Sequence, residues 1–174
     1  ANGRPWISDG TSANTIQLSA TASGARHFTV YNGNVYFRAS TSTEGAELWK
    51  TDGTPGGTQL VADLVTGTGS SDPRALAVMN GMLYFIGRSA SAVAVLYQSD
   101  GTAAGTSEVA VIRAGTGSLV GSVGVVIGGR YIFSVDDGVH GEEPWTTDGT
   151  AGGTQLLKDV FAGSDRSLPA QFML

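Results

Sequence analysis

A short motif recurs four times along this chain of 174 residues and governs its organisation. Each copy consists of an aromatic residue, two further residues and Asp-Gly-Thr, and the aspartates are Asp9, Asp52, Asp100 and Asp148. The successive spacings are 43, 48 and 48 residues. A period of this length is typical of repeat proteins in which each copy forms one supersecondary unit. Because one such unit cannot bury its apolar faces alone, we expect the copies to stack on one another.

The segments between the motifs have the pattern of β-strands. Short aromatic and β-branched runs follow the turn pairs Asn32-Gly33, Asn80-Gly81 and Gly128-Gly129, which favour tight hairpins. Another apolar run precedes each turn pair, and a further one follows each Asp-Gly-Thr. Each full repeat is therefore predicted to hold four short antiparallel strands, and helix is not expected.

Four strands per repeat are typical of the blade of a β-propeller. We predict an all-β fold, a β-propeller built of four-stranded antiparallel blades, in a single domain over residues 1–174. Three blades are complete, at 23–66, 67–114 and 115–162, and a fourth is split between residues 1–22 and 163–174. The second strand of the split blade is missing from the pattern. The ring is therefore expected to close imperfectly, to take a strand from another chain, or to belong to a longer protein.

The aromatic position of the motif falls in the third strand of each predicted blade. It is occupied by Trp6, Trp49, Tyr97 and Trp145. Large aromatic side chains contribute strongly to core packing, so we expect this position to pack between neighbouring blades rather than to stack on a ligand.

A second small motif follows each Asp-Gly-Thr. It reads Gly57-Thr58, Gly105-Thr106 and Gly153-Thr154, with Asn14-Thr15 in the first copy. Asn tolerates the left-handed backbone conformation that Gly adopts freely, so we predict that conformation in every copy. The motif aspartates are interpreted as turn residues that accept backbone N–H groups, while the next Gly supplies a positive φ and Thr caps the bend.

Composition narrows the classes of function. The chain has a formal net charge of −5 and contains no Cys. Without a clustered basic face, nucleic acid is not expected as a partner. Without Cys, there are no disulfides, no thiolate nucleophile and no Cys-ligated zinc. No apolar run reaches the roughly 18 residues of a membrane-spanning helix, and no signal-like segment opens the sequence.

The densest acidic cluster lies in the last full repeat. It contains Asp136, Asp137, Glu142 and Glu143, with His140 between them. Several carboxylates in one short loop suit calcium, so Asp136, Asp137 and Glu142 form a candidate calcium site. The spacing is not that of an EF-hand, and a solvated acidic loop is the favoured interpretation. No other cofactor is predicted.

Patterns that would indicate catalysis are weak. His27 and His140 are the only histidines, and nothing in the pattern brings them together as zinc ligands. No Gly-x-Ser-x-Gly elbow occurs between a strand and a helix. The glycine-rich run 115–121 lacks the spacing and the Lys of a nucleotide-binding loop. We therefore predict that the protein is not an enzyme.

The repeat motif resembles a known family. The run Glu47-Leu-Trp-Lys-Thr-Asp-Gly-Thr-Pro-Gly-Gly-Thr58 resembles the ELWxxDGT repeat of large bacterial secreted and surface proteins. The stretch 135–145, running into the next Asp-Gly-Thr, is similar to the same family. Two copies depart from the pattern, with Ala94-Val-Leu-Tyr97 in one and Gly3-Arg-Pro-Trp6 in the other. The resemblance implies a propeller-like, extracytoplasmic module with no general enzymatic activity.

These observations favour a non-catalytic binding or structural module that is secreted, periplasmic or on the cell surface. Its expected partner is a protein or a glycan, and the sequence does not identify the ligand-binding residues. One alternative is an accessory subunit of an oligomer or larger assembly, docked through the incomplete blade. Another is an enzyme with a carboxylate site in the central tunnel.

Overall fold

The structure of the protein, a computed structural model, describes residues 3–115, 119, 121, 123–167 and 169. All regular secondary structure in these residues is β-strand, which confirms the predicted all-β class. No helix long and apolar enough to cross a membrane occurs among the described residues. The chain divides into two compact units, Ala1–Pro73 and Arg74–Leu174.

The unit Ala1–Pro73 contains two antiparallel sheets. The smaller one pairs β1 (Trp6–Ile7) with β2 (Ile16–Gln17). The larger one has four strands in chain order, β3 (Ser23–Tyr31), β4 (Asn34–Thr41), β5 (Gly45–Thr51) and β6 (Gln59–Ala62). Phe37 and Trp49 are central to its core cluster, and Phe28 stacks on Phe37 with ring centroids 5.3 Å apart.

The unit Arg74–Leu174 contains two four-stranded antiparallel sheets, again in chain order. The first consists of β7 (Arg74–Met79), β8 (Met82–Ser89), β9 (Ala92–Ser99) and β10 (Ser107–Ala114). The second consists of β11 (Gly124–Ile127), β12 (Arg130–Asp136), β13 (Glu142–Thr147) and β14 (Gln155–Leu156). The two sheets share one core cluster, to which Ile86 and Leu96 contribute from the first and Tyr131 and Phe133 from the second.

The predicted hairpin turns are confirmed. Asn32 and Gly33 have φ values of 45° and 73°, and the pairs Asn80-Gly81 and Gly128-Gly129 are likewise positive at both residues. A two-residue type I′ turn needs positive φ at both central positions, which explains the choice of Asn and Gly. The strands that join at these turns are β3 and β4, β7 and β8, and β11 and β12.

The split blade and the single domain remain predictions. In the C-terminal part of the split blade, 163–174, positions 168 and 170–174 lie outside the described residues. The N-terminal part is described and forms the two-stranded sheet of β1 and β2.

The motif aromatics lie in the third strand of each four-stranded sheet, as predicted. Each stands directly opposite a phenylalanine of the second strand, in the pairs Phe37–Trp49, Phe85–Tyr97 and Phe133–Trp145. Trp49 and Tyr97 are buried, and Trp145 packs against the core cluster of its unit. Trp6 departs from the expectation of core packing, because 57% of it is exposed.

Candidate functional site

The Asp-Gly-Thr motif forms a hydrogen-bonded turn. Asp52 Oδ1 accepts the backbone N–H of Thr54 at 2.9 Å and its hydroxyl at 2.7 Å. Thr54 Oγ1 in turn accepts the N–H of Gly57 at 3.0 Å. The bonds to Asp52 from the Thr54 hydroxyl and the Thr54 N–H, in that order, lower the pKa of Asp52. Gly53 has a φ of 92°. The predicted turn role of the aspartate is confirmed.

The same turn occurs in all four copies. Asp9, Asp100 and Asp148 accept the backbone N–H and the hydroxyl of the threonine two residues later at 2.7–2.9 Å. The side-chain amide of Asn14 adds a bond to Asp9 and is the largest contribution lowering the pKa of Asp9 to about 2. The motif aspartates therefore hold turns.

The prediction of a left-handed backbone at the second small motif is wrong. Gly57, Gly105, Gly153 and Asn14 are not among the residues with positive φ. In the three copies with glycine, the aspartate carboxylate approaches this position closely: a Cβ on Gly57 would lie 2.0 Å from Asp52 Oδ1. In the first copy, Asn14 instead donates a hydrogen bond from Nδ2 to Asp9 Oδ2 at 2.6 Å.

The carboxylates of the predicted calcium site bind separate partners. Asp136 Oδ1 accepts the N–H of Gly138 at 2.7 Å and pairs with Arg113 at 3.1 Å. Asp137 accepts the N–H groups of Val139 and His140 and pairs with the His140 ring at 2.7 Å.

The third predicted ligand, Glu142, accepts the Ser134 hydroxyl at 3.0 Å. Across the described part of the chain, no group of three or more His, Asp or Glu side chains could hold a metal ion. The structure therefore does not bring Asp136, Asp137 and Glu142 together as one ligand set, and calcium binding stays a prediction.

Two buried glutamates, which the sequence interpretation did not single out as a pair, hold the connections after β6 and β14. Glu47 is fully buried and accepts the N–H groups of Ser71 at 2.8 Å and Leu64 at 3.2 Å, together with the Ser71 hydroxyl. Glu143, also fully buried, accepts the N–H groups of Val160 at 3.1 Å and Ser167 at 3.0 Å. We call each arrangement a glutamate clamp. Glu47 and Glu143 both stand two residues before the motif tryptophan. The repeat spacing was therefore the signal in the sequence that could have identified the two glutamates as equivalent.

The two clamps differ in the balance between burial and hydrogen bonding. Burial is the largest influence at Glu47 and raises the pKa of its carboxyl above the ordinary value. Burial also raises the pKa of Glu143, but the hydrogen bonds from Val160, Ser167 and Phe161 outweigh this effect, so the pKa of Glu143 is lowered. A raised pKa is also expected of a catalytic carboxylate in an enzyme. Glu47, however, lies in the interior, and its oxygens accept hydrogen bonds from Leu64 and Ser71. Its geometry therefore fits a structural role.

The described surface of the first unit has an apolar edge at β1. Trp6 is 57% exposed and Ile7 and Ile16 are about two-fifths exposed, at 40% and 41%. A pocket of about 120 Å³ lies at this edge, and it is lined by Trp6, Leu18, Phe28 and other apolar side chains. The only strand that pairs with β1 within the described residues is β2. Within the part of the chain that the structure describes, no strand pairs with the other edge of β1.

No family model and no curated protein matches the sequence. Among solved structures, the chain is similar to a puromycin hydrolase, with 16% identity and a TM-score of 0.58, over 94% of this chain and 24% of the hydrolase. It is also similar to the computationally designed protein Ika8, with 14% identity and a TM-score of 0.50, over 95% of this chain and 46% of Ika8. The chain thus spans about a quarter and about half of these two structures.

A third similarity, to an alpha-L-arabinofuranosidase from Clostridium thermocellum, has 15% identity and a TM-score of 0.43, over 87% of this chain and 55% of that one. It is too distant to support an argument. At these identities, the first two similarities bear on the fold alone. The class that fold and sequence define is an all-β protein of repeated antiparallel sheets.

Proposed function

We propose that this chain forms blades of a β-propeller-like domain and acts as a non-catalytic binding module outside the cytoplasm. Its partner is a protein that adds a β-strand to the exposed edge of β1. The repeat period, the chain-order strand arrangement in each four-stranded sheet and the shared core of the two sheets in the second unit all support the propeller. The resemblance to the ELWxxDGT repeat supports the extracytoplasmic location.

The exposed Trp6 is the observation that carries the docking proposal. In the three four-stranded sheets, the third-strand aromatic stands opposite a phenylalanine of the second strand. Trp6 occupies the same position of the repeat, and in the described residues no strand lies on that side of β1. An exposed tryptophan beside an open strand edge is a site at which an added strand can bury apolar area and pair its backbone.

The repeat also specifies the chemistry of the added strand. By the register of the other sheets, its residue opposite Trp6 is an aromatic one, flanked by apolar residues on an extended backbone. Main-chain hydrogen bonds to β1 would supply affinity, and the aromatic pair would supply specificity. The same edge supports the second candidate function, an accessory subunit whose place in a larger assembly depends on this docking.

A peptide that copies a second strand tests the proposal. We suggest a peptide with the sequence of residues 80–88, which contains Phe85. It is titrated into ¹⁵N-labelled protein while the Trp6 indole N–H resonance is followed. We expect a saturable shift that disappears when the peptide carries Ser in place of Phe85. A Trp6→Ser protein that no longer binds the peptide serves as the matched control.

Sedimentation velocity of the protein alone distinguishes the possible occupants. A monomer that binds the peptide supports docking of a separate protein. Self-association that Trp6→Ser abolishes would show that a second copy occupies the edge, which would replace the proposed partner. A monomer whose Trp6 resonance does not respond to the peptide would contradict docking by strand addition.

A further inference from the structure

The apolar pocket at the β1 edge has walls from both sheets of the unit Ala1–Pro73. Its volume is about 120 Å³, and its lining includes Trp6, Ile7, Leu18, Phe28, Val35 and Phe37. Phe28 is 56% exposed, so this wall of the pocket is accessible from solvent. An apolar cavity of roughly 150 Å³ can hold a benzene ring. The pocket therefore has about the size of one aromatic side chain.

The pocket wall has little to offer a polar group. Apart from the Trp6 indole, Thr51 is the only described lining residue with a polar side chain. Its hydroxyl is hydrogen-bonded to the Thr58 hydroxyl at 2.7 Å and accepts the N–H of Gly53 at 3.1 Å. A polar group that enters the pocket would lose its hydrogen bonds to water without replacing them, which is costly. The pocket is therefore suited to an apolar side chain.

The second unit shows what fills the equivalent space between two of its sheets. Val35 and Gly53 of the pocket wall correspond to Tyr131 and Gly149, each 96 residues later. Tyr84 of β8 lies against both of these residues. Its ring centroid is 6.4 Å from that of Tyr131, and a Cβ on Gly149 would lie 2.5 Å from its hydroxyl oxygen. The space is thus filled by the second-strand residue that precedes the conserved phenylalanine position of the repeat.

The ladder register places the same position beside β1. Tyr84 stands opposite Gln98 of β9, and Gln98 corresponds to Ile7 of β1. The aromatic residue of an added strand stands opposite Trp6, so the residue before it stands opposite Ile7. Successive side chains of a strand point to opposite faces, and Ile7 lines the pocket. The residue before the aromatic one is therefore directed to the pocket.

We propose that the pocket receives the apolar side chain that precedes the aromatic residue of the docking strand. This inference rests on the strand addition proposed above and adds a second determinant of the partner. Val35 is smaller than Tyr131, which leaves room for a ring. A Cβ on Gly53 would lie 3.2 Å from Ile7 Cδ1, so Ile7 lies beside this glycine as the Tyr84 hydroxyl lies beside Gly149. The preferred side chain is therefore phenylalanine, and the partner's strand carries two successive aromatic residues.

Substitutions at position 84 of the peptide 80–88 test the proposal, with the Trp6 indole resonance as the readout. The Tyr84→Phe peptide should bind at least as tightly as the unsubstituted one. Tyr84→Ser should raise the Kd about tenfold or more, because a buried ring is lost. Leu83→Ser is the matched control, since its side chain points to the strand face away from the pocket, and it should raise the Kd by a smaller factor.

A substitution in the pocket wall connects the peptide position to the pocket. Phe28→Ala should raise the Kd of the Tyr84→Phe peptide about fivefold. It should leave the Kd of the Tyr84→Ser peptide unchanged, because that peptide places no ring against Phe28. Val30→Ala is the matched control, since Val30 is 71% exposed on the same strand and does not line the pocket.

The outcomes separate this inference from strand docking itself. Equal affinity of the Tyr84→Phe and Tyr84→Ser peptides, with binding still lost on Phe85→Ser, would overturn the pocket assignment and leave strand docking intact. An equal effect of Phe28→Ala on both peptides would do the same. A peptide that does not bind in any form would overturn both proposals. The peptide series uses the unsubstituted protein, so it carries the test if Phe28→Ala does not fold.

Discussion

The connections that follow the fourth strand differ between the sheet of β3–β6 and the sheet of β7–β10. In the first, β6 ends at Ala62, and the backbone N–H groups of Leu64 and Ser71 turn to the buried Glu47. In the second, Val95 stands in the position of Glu47 and Leu119 in the position of Ser71, each 48 residues later. Both are buried, and Leu119 belongs to the core cluster of its unit.

The fourth strand changes together with these side chains. Without a glutamate, β10 continues to Ala114 and pairs Val111 with Val95 and Arg113 with Ala94. Backbone N–H groups in the interior need partners, and either strand pairing or a carboxylate can supply them. Each sheet therefore uses a different pair of side chains, 24 residues apart, where its fourth strand ends. The polar pair is Glu47 and Ser71, whose carboxylate accepts the backbone N–H groups. The apolar pair is Val95 and Leu119, and there the longer fourth strand supplies the pairing.

The largest effect is expected when Glu47 is replaced by Val, the residue that the sheet of β7–β10 has at this position. Glu47→Val leaves two backbone donors and the Ser71 hydroxyl without their acceptor in the interior. We expect a loss of about 3–5 kcal/mol in the free energy of unfolding, measured with urea. Glu108→Val, at an exposed strand position, should cost less than about 1 kcal/mol. A loss at Glu47 as small as at Glu108 would contradict the clamp.

Adding Ser71→Leu to Glu47→Val sharpens the comparison. The double variant has the side chains of the second region and no longer buries the unpaired hydroxyl. Its loss should be smaller than the sum of the two single losses by at least about 0.5 kcal/mol, as determined from a double-mutant cycle. Strict additivity would mean that the two positions are not coupled.

The Asp-Gly-Thr turn occurs in both sheets, so the equivalent substitution should destabilise each turn by a similar amount. Gly57→Ala and Gly105→Ala bring a Cβ to 2.0 and 2.1 Å from the aspartate carboxylate, so each should cost about 1–3 kcal/mol of unfolding free energy. The neighbouring Gly56→Ala is the control, because a Cβ there meets nothing within 4 Å. Unequal losses at Gly57 and Gly105 would show that the two turns are not equivalent.

The two glutamate clamps should have opposite pH dependence. The pKa of Glu143 is lowered, so its contribution to stability is complete above the ordinary value of 4.5 and is lost as pH falls through the folded pKa. The pKa of Glu47 is raised, so its charged form costs stability above the folded pKa, and this cost disappears as pH falls towards 4.5.

Urea unfolding at pH 7 and at about pH 4 measures this difference. Relative to the unsubstituted protein, Glu143→Gln should lose more stability at pH 7 than at pH 4. Glu47→Gln should show the reverse, with the smaller loss at pH 7. The same pH trend in both variants would argue against a different balance of burial and hydrogen bonding at the two sites.

The smallest effect is expected from metal removal. Since Asp136, Asp137 and Glu142 bind separate partners, the melting temperature should be the same in calcium and in a chelator. A ligand that binds only the folded state raises the melting temperature with its concentration. A calcium-dependent rise that Asp137→Asn removes would therefore establish the predicted site.

Local features were predicted where their cause lies within a few residues. The hairpins at Asn32-Gly33 and its equivalents follow from backbone preference, and the Asp52 turn follows from short-range hydrogen bonds. The interpretation of Gly57 failed for a related reason. Left-handed backbone and close approach both select glycine, and only the position of the Asp52 carboxylate distinguishes them.

By itself, the sequence determined the repeat, the strands and the turns, because each follows from a period or from the conformational limits of Asn and Gly. Tertiary structure decided which buried donors reach Glu47 across 24 residues and why Trp6 is exposed while Trp49 is buried. Those properties depend on which strands lie beside one another in space. A pattern along the chain contains no distances between residues that are far apart in sequence.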